Sequence, residues 1–371
     1  MDFSYSTQII IPICLVLGII TGFVMHRNDF CVAGMFRDLF LFKRTKKIKS
    51  LILLVFTSMI LFEFVRFIDL LIYPFPLIGY PSLSNFIGGI VFGTGMVLAG
   101  GCVIGVLYKV GAGSIISLTA LIGIFIGSAI YAELHPYWIK FIKMTTLTKD
   151  AITLSQFLKI QPYVIVLIIS IPLFGLVRRY YKAGDFNETF KPEGYISSFH
   201  SAIILSLVGL ISYIFIGMPL GITTTYSKIA GLITEQLFPE YFKELVFYKV
   251  ISLKYKFPLT GQELSGGPGP VFDAITAIQL PLIIGILLGS FISAIHLREF
   301  KVYFKAPYIQ YFSAFIGGIL IGLASRLTPA CNVWHIFGGL PIFAIQSVLF
   351  VIGLFPGVWF GTKLLQKVIF R

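Results

Sequence analysis

Residues 86–102 read FIGGIVFGTGMVLAGGC, and residues 315–331 read FIGGILIGLASRLTPAC. The two align without a gap. They share FIGG, a glycine at Gly93 and Gly322, and a closing cysteine at Cys102 and Cys331. Each is apolar over most of its length and ends in residues that interrupt a helix: Gly100 and Gly101 before Cys102, and Thr328, Pro329 and Ala330 before Cys331. Proline lacks an N–H donor and disfavours helix in the residue before it, whereas glycine lets the chain turn and lets a ligand approach the backbone. The pair therefore reads as one element used twice, an apolar helix that stops at a cysteine. Gly123 and Gly127 match Gly353 and Gly357 with a shift of one residue, which carries the repeat into the next helix.

The rest of the chain has the composition of a bilayer-embedded protein. Of 371 residues, 57% are hydrophobic and 12% charged, and the mean hydropathy is +0.92. Soluble chains carry about twice that share of charge, so a set of soluble domains or a disordered chain is excluded. A spanning helix needs about 20 apolar residues. Apolar runs at 8–26, 51–73, 84–99, 115–132, 162–178, 198–217, 271–297, 309–325 and 341–362 predict nine spans. The segments 31–42, 103–110 and 222–233 are too short to cross. The expected fold is an all-α polytopic membrane protein, a single membrane domain over 1–371.

The net charge of +13, from 29 Lys and Arg against 16 Asp and Glu, informs by position. Fifteen basic residues fall in 43–50, 178–191, 298–305 and the tail beyond 362. All four segments lie on one side if nine spans begin outside. The opposite loops, 133–161 and 218–270, hold nine Lys in longer stretches with six Asp or Glu. Short basic loops mark the cytoplasmic side, so the N-terminus is expected outside and the C-terminus in the cytoplasm. The partner implied by the basic balance is membrane lipid, and no basic, aromatic-interleaved stretch points to nucleic acid.

That orientation sends the span before Cys102 inward and the span before Cys331 outward. Two inverted repeats follow, 8–132 and 198–362, related by a pseudo-two-fold in the membrane plane. The connector is 162–178, and 235–270 is an insertion in the second repeat. Within it, EQLFPEYFKELVFYKV fits an interfacial helix, and SGGPGP a turn-rich linker. Inverted repeats around broken helices are a transporter signature. Glu63 and Arg66, three apart in an apolar run, predict a structural ion pair.

Three of the four cysteines, Cys31, Cys102 and Cys331, sit at such breaks, while Cys14 reads as a packed apolar side chain. Short re-entrant half-helices starting near these three would point free N–H groups at them, an arrangement that suits anions. Thiols add a soft, weakly donating surface for a sulfur or selenium atom. A species with one sulfur end and one oxyanion end, such as thiosulfate, fits both features. Gly100, Gly101 and Asn332 are the supporting residues in the breaks, and Arg27, Arg37, Lys109 and Arg326 are nearby fixed charges. His335, like His26, flanks a break, where it could be proton-linked or simply packed. No zinc spacing or Walker pattern occurs, so no metal, cofactor or internal ATP drive is expected. An enzyme is not the expected class. The alternatives are a permease for selenium species or another sulfur compound, and a membrane sulfurtransferase that forms a cysteine persulfide.

NDFCVAGMFRD at 28–38, VLAGGCVIGVL at 97–107 and RLTPACNVWHIFGGLP at 326–341 resemble the YeeE/YedE family of bacterial inner-membrane sulfur-compound transporters. The resemblance extends over nearly the whole chain through the order and spacing of these motifs. It implies an hourglass-shaped helical fold with re-entrant tips meeting near the middle, and a central path lined by Cys31, Cys102 and Cys331. It also implies thiosulfate relayed by transient thiol contacts, with a separate cytosolic sulfur-carrier (TusA-like) protein as partner. Pro329 and Ala330 depart from the Gly-Gly common before the third cysteine of the family.

Overall fold

The computed structural model describes residues 3–70, 73–76, 79–186 and 193–369. Lys191 and Arg371, two of the fifteen loop charges, lie outside them. The described chain is mostly helical, with almost no strand: α1 Phe3–Asn28, α2 Val32–Phe42, α3 Lys46–Phe67, α4 Leu83–Leu98, α5 Val103–Gly111, α6 Ile115–Thr145, α7 Leu154–Leu158, α8 Pro162–Lys182, α9 Ser198–Ile216, α10 Thr223–Leu237, α11 Pro239–Glu244, α12 Ala274–His296, α13 Tyr308–Leu327 and α14 Ile345–Ile369. Among the described residues, nine helical segments are long and apolar enough to cross a bilayer. They coincide with the nine expected runs, and the protein is a multi-pass membrane protein.

Three boundaries differ from the sequence reading. The helix α3 begins at Lys46, inside the basic loop, and ends at Phe67, short of the expected residue 73. The helix α6 continues through the polar stretch after residue 132 to Thr145, because Pro136 is followed by Trp138, Ile139, Phe141 and Ile142, which keep one side apolar. The expected interfacial helix is divided instead. Proline cannot continue a helix with the donor its position requires, so α10 ends at Leu237 and α11 restarts with Pro239 as its first residue. A 3-10 turn, Val246–Lys249, follows. An antiparallel hairpin of β1 Leu253–Lys256 and β2 Glu263–Gly266 comes next, and Ser265 and Gly266 of the expected linker lie in its second strand.

Close packing of small residues organises the bundle, as expected where lipid offers helices no hydrophobic drive to associate. The helices α1 and α12 run parallel: Gly18 meets Gly285, and Gly22 lies against Ile286. Likewise α4 runs parallel to α14, with Gly89 against Gly353 and Gly93 against Leu354 and Gly357. The third such pair is α6 and α13, with Gly123 against Gly318 and Gly127 against Ile319. In contrast α4 and α13 are antiparallel, with Gly88 facing Thr328 and Gly95 facing Gly317. The pair α3 and α9 completes the inner ring, while α8 packs at the periphery on α3. Leu167, Ile168, Ile171 and Phe174 of α8 are exposed, as a lipid-facing helix requires. Glu63 and Arg66 form the expected ion pair. Cys14 is buried among apolar side chains.

Candidate functional site

Each of the three break cysteines precedes a short helix, and its thiol meets that helix's first free amides. Cys31 is the residue before α2, in extended conformation, and the Gly34 amide faces its sulfur. Cys102 precedes α5, and its Sγ accepts the Gly105 amide at 3.3 Å. Cys331 precedes the turn that includes the π-helical residues Trp334–Gly339, and the Val333 and Trp334 amides face its sulfur. All three are buried to within 1%. The partial positive charge of unpaired N–H groups is thus directed at thiols in a dry setting.

The breaks bring these thiols together. Cys31 and Cys102 lie beside one another. They flank Gly105, where a Cβ would lie 2.8 Å from Cys31 Sγ and 3.3 Å from Cys102 Sγ. The side chain of Asn332, next to Cys331, lies beside Cys102. Asn332 is fully buried, and neither its Nδ2 nor its Oδ1 has a hydrogen-bond partner among the described residues. The two halves also touch where the Phe30 and Phe337 rings meet edge to face. Gly100 takes a positive φ of 69° at the α4 break, and its carbonyl accepts Lys109 Nζ at 2.7 Å, which ties the start of the break to the end of α5. Gly101 fits closely against the Val106 amide, where a Cβ would lie 3.0 Å away.

Cavities approach the thiols from both ends of the bundle. On the face where α1 begins, a cavity of about 590 Å³ is lined by Lys143, Lys149, His135 and Arg326 among others, with no acidic residue among the described residues. Thr224 and Pro329 separate it from a space of about 30 Å³ that reaches Cys331. On the opposite face a cavity of about 380 Å³ is lined by His26, Asp29, Tyr108, Lys109 and Lys301 among others. Arg326 is buried, bonded to the Thr223 and Thr224 hydroxyls, and its Nε has no partner among the described residues. A buried guanidinium without a carboxylate partner is costly, and here it faces the larger cavity.

Other candidates are engaged elsewhere. Arg27 donates to the Gly194 carbonyl at 2.6 Å and lies over the Phe23 ring. Arg37 pairs with Asp38 at 3.0 Å. His335 donates from Nε2 to the Thr328 carbonyl, accepts the Ser347 hydroxyl at Nδ1, and stacks on Phe350. That places its imidazole in the scaffold of the Cys331 turn.

Residues 27–360 match the sulphur transport family. The chain belongs to that family. It is similar to the thiosulfate transporter TsuA of Spirochaeta thermophila, with 27% identity over 93% of this chain and 97% of the relative. It is similar to the thiosulfate transporter TsuA of Escherichia coli, again with 27% identity, over 93% of this chain and 92% of the relative. Over 41% of this chain and 35% of the relative it is 30% identical to the probable transporter YedE of Escherichia coli.

Two groups of this sulphur transport family member are not apparent from its sequence. Asp29, at φ 49°, accepts the Tyr108 hydroxyl at 2.7 Å and Lys47 Nζ at 3.2 Å. Tyr108 is buried and thereby stands between the Cys31–Cys102 pair and the 380 Å³ cavity. Tyr226, on α10, is the second. A polar residue near a break would have flagged Asp29, but only the folded chain joins Tyr108 or Tyr226 to distant cysteines.

Proposed function

We propose that the chain is an inner-membrane transporter for thiosulfate or a closely similar sulfur oxyanion, relayed past Cys331, Cys102 and Cys31 in turn. The convergence of three buried thiols between two opposed cavities carries this reading. Each thiol lies against helix-start amides, so a passing dianion meets a soft donor and a partial positive charge together. The names of the relatives support the substrate class. Arg326 offsets charge on one side of the path and Lys109 on the other. Gly100 and Gly101 allow close approach at the break, and Asn332 offers an amide beside Cys102. Substrate leaves chemically unchanged, so the protein acts as a carrier and not as an enzyme.

The two-fold reading of the sequence enters here as well. If 8–132 and 198–362 are inverted repeats, α1, α3, α4 and α6 correspond to α9, α12, α13 and α14. Helix packing is exchanged accordingly: α1 with α12 answers α3 with α9, and α4 with α14 answers α6 with α13. The antiparallel run of α4 and α13 supports the inversion. The helices α2, α5 and α10 and the turn after Cys331 would then be the re-entrant arms, with α8 as connector. The basic loops face the cytoplasm, where a TusA-like sulfur carrier would receive the substrate.

Uptake of labelled thiosulfate by cells lacking other routes tests the reading. Cys102→Ala and Cys331→Ala should each lower the rate at least tenfold at equal membrane abundance. Normal rates in both would remove the relay. A stable persulfide on Cys31 or Cys102 in intact-mass spectra would favour a sulfurtransferase instead.

A further inference from the structure

We propose that the Tyr226 hydroxyl is a substrate-binding donor that holds the oxyanion end of the substrate between Cys331 and Cys102; this rests on the transport reading above. Tyr226 is 1% exposed. Its hydroxyl is buried and has no hydrogen-bond partner among the described residues. The thiols of both Cys331 and Cys102 lie within electrostatic range of it. The Phe125 ring packs edge-on against the Tyr226 ring, with centroids 5.4 Å apart, and so fixes where the hydroxyl sits.

The position of α10 explains why a hydroxyl is needed there. The break before α10 occupies the place in the second half that the Cys31 break occupies in the first. The residue before α10 is Ile222, where the residue before α2 is Cys31. One of the four arms therefore brings no thiol. Its helix begins Thr223, Thr224, Thr225, Tyr226. Thr223 and Thr224 are bonded to Arg326, whereas the Thr225 and Tyr226 hydroxyls are unpaired among the described residues. The path is consequently asymmetric. Two thiols meet at Cys31 and Cys102, beside the Asn332 side chain, while Cys331 is accompanied by hydroxyls and a guanidinium. A terminal sulfur is matched by thiols, and sulfonate oxygens, which only accept, are matched by O–H and N–H donors. A buried hydroxyl with no partner is unfavourable, and an oxyanion that arrives and leaves would supply one.

The test is Tyr226→Phe, which removes only the hydroxyl oxygen, measured in proteoliposomes beside the unaltered protein and Cys331→Ala. Tyr226→Phe should raise the apparent KM for thiosulfate about tenfold, the scale of one charge-assisted hydrogen bond, with the maximal rate nearly unchanged. Without substrate its melting temperature should be equal or higher, since no protein bond is lost. Sulfate, which has the oxygens but not the terminal sulfur, should inhibit the unaltered protein competitively and inhibit Tyr226→Phe about tenfold more weakly. A KM within twofold, with Cys331→Ala still inactive, overturns the role of Tyr226 and leaves the relay standing. A lowered melting temperature with unchanged sulfate inhibition overturns it in favour of a packing role. Unaltered protein that takes up no thiosulfate overturns both readings.

Discussion

Gly105 holds the Cys31–Cys102 pair together by what it lacks. Its amide supports Cys102 Sγ, and its missing Cβ leaves room for both sulfurs. Gly105→Ala would place a methyl group 2.8 Å from Cys31 Sγ and 3.3 Å from Cys102 Sγ. Overpacking of this kind costs about 1–3 kcal/mol, and here the yielding atoms are the sulfurs. Uptake of thiosulfate should fall about tenfold or more, while both thiols remain present to thiol titration of the denatured protein. An unchanged rate would mean that the spacing of the pair is irrelevant to transport. The cysteines themselves are legible in the sequence, because a glycine or proline break inside an apolar run is a local signal. Tyr226 and Tyr108 are not. Each is one aromatic residue in a chain with 18 Tyr and 37 Phe, and each acquires meaning only from residues remote in sequence. Arg27 and Arg37 illustrate the converse: closeness in sequence to Cys31 leaves them bonded to Gly194 and Asp38.

The helices obey a simpler rule than the site. Apolar length marks where a spanning element lies, so the nine runs are readable directly, although α3 and α6 end elsewhere than their runs do. What the runs do not disclose is which faces meet, and the glycines decide that. On α1, a Cβ at Gly22 would lie 2.1 Å from the Ile286 carbonyl oxygen of α12. That obstacle is backbone, which cannot swing aside. Gly22→Val should force the helices apart and destabilise the protein by about 1–3 kcal/mol or more, read as a lower melting temperature in detergent. Gly175 of α8 supplies the comparison, since nothing lies within 4 Å of its would-be Cβ. Gly175→Ala should be neutral or stabilising by up to about 1 kcal/mol. An unchanged melting temperature for Gly22→Val would show that close approach of α1 and α12 does not govern this glycine. The hairpin β1–β2 escaped the sequence reading because its strands are four residues each, too short for alternation to stand out beside a glycine-rich turn.

For the whole molecule, charge position and helix direction make one joint statement about sidedness. Among the described residues, nine alternating spans put the start of α1 and the end of α14 on opposite faces. The loop at 43–50 carries Lys43, Arg44, Lys46, Lys47 and Lys49, and the loop at 298–305 carries Arg298, Lys301 and Lys305. Both lie on the face with the Asp29–Tyr108 cluster, whereas the larger cavity holding Arg326 opens on the other. If the positive-inside rule holds, an external anion first meets Arg326 and last passes Tyr108. Lys149 and Lys301 are both exposed, one on each face, and each can be replaced by cysteine in a chain whose four native cysteines are alanine. An impermeant maleimide should label Lys149→Cys in spheroplasts and Lys301→Cys only after permeabilisation. Since the assay reads only accessibility, it does not depend on the relay remaining active. The reverse pattern would turn the molecule over in the membrane. The Cys31–Cys102 pair would then receive external substrate before Cys331, and the proposed order of the relay would be reversed.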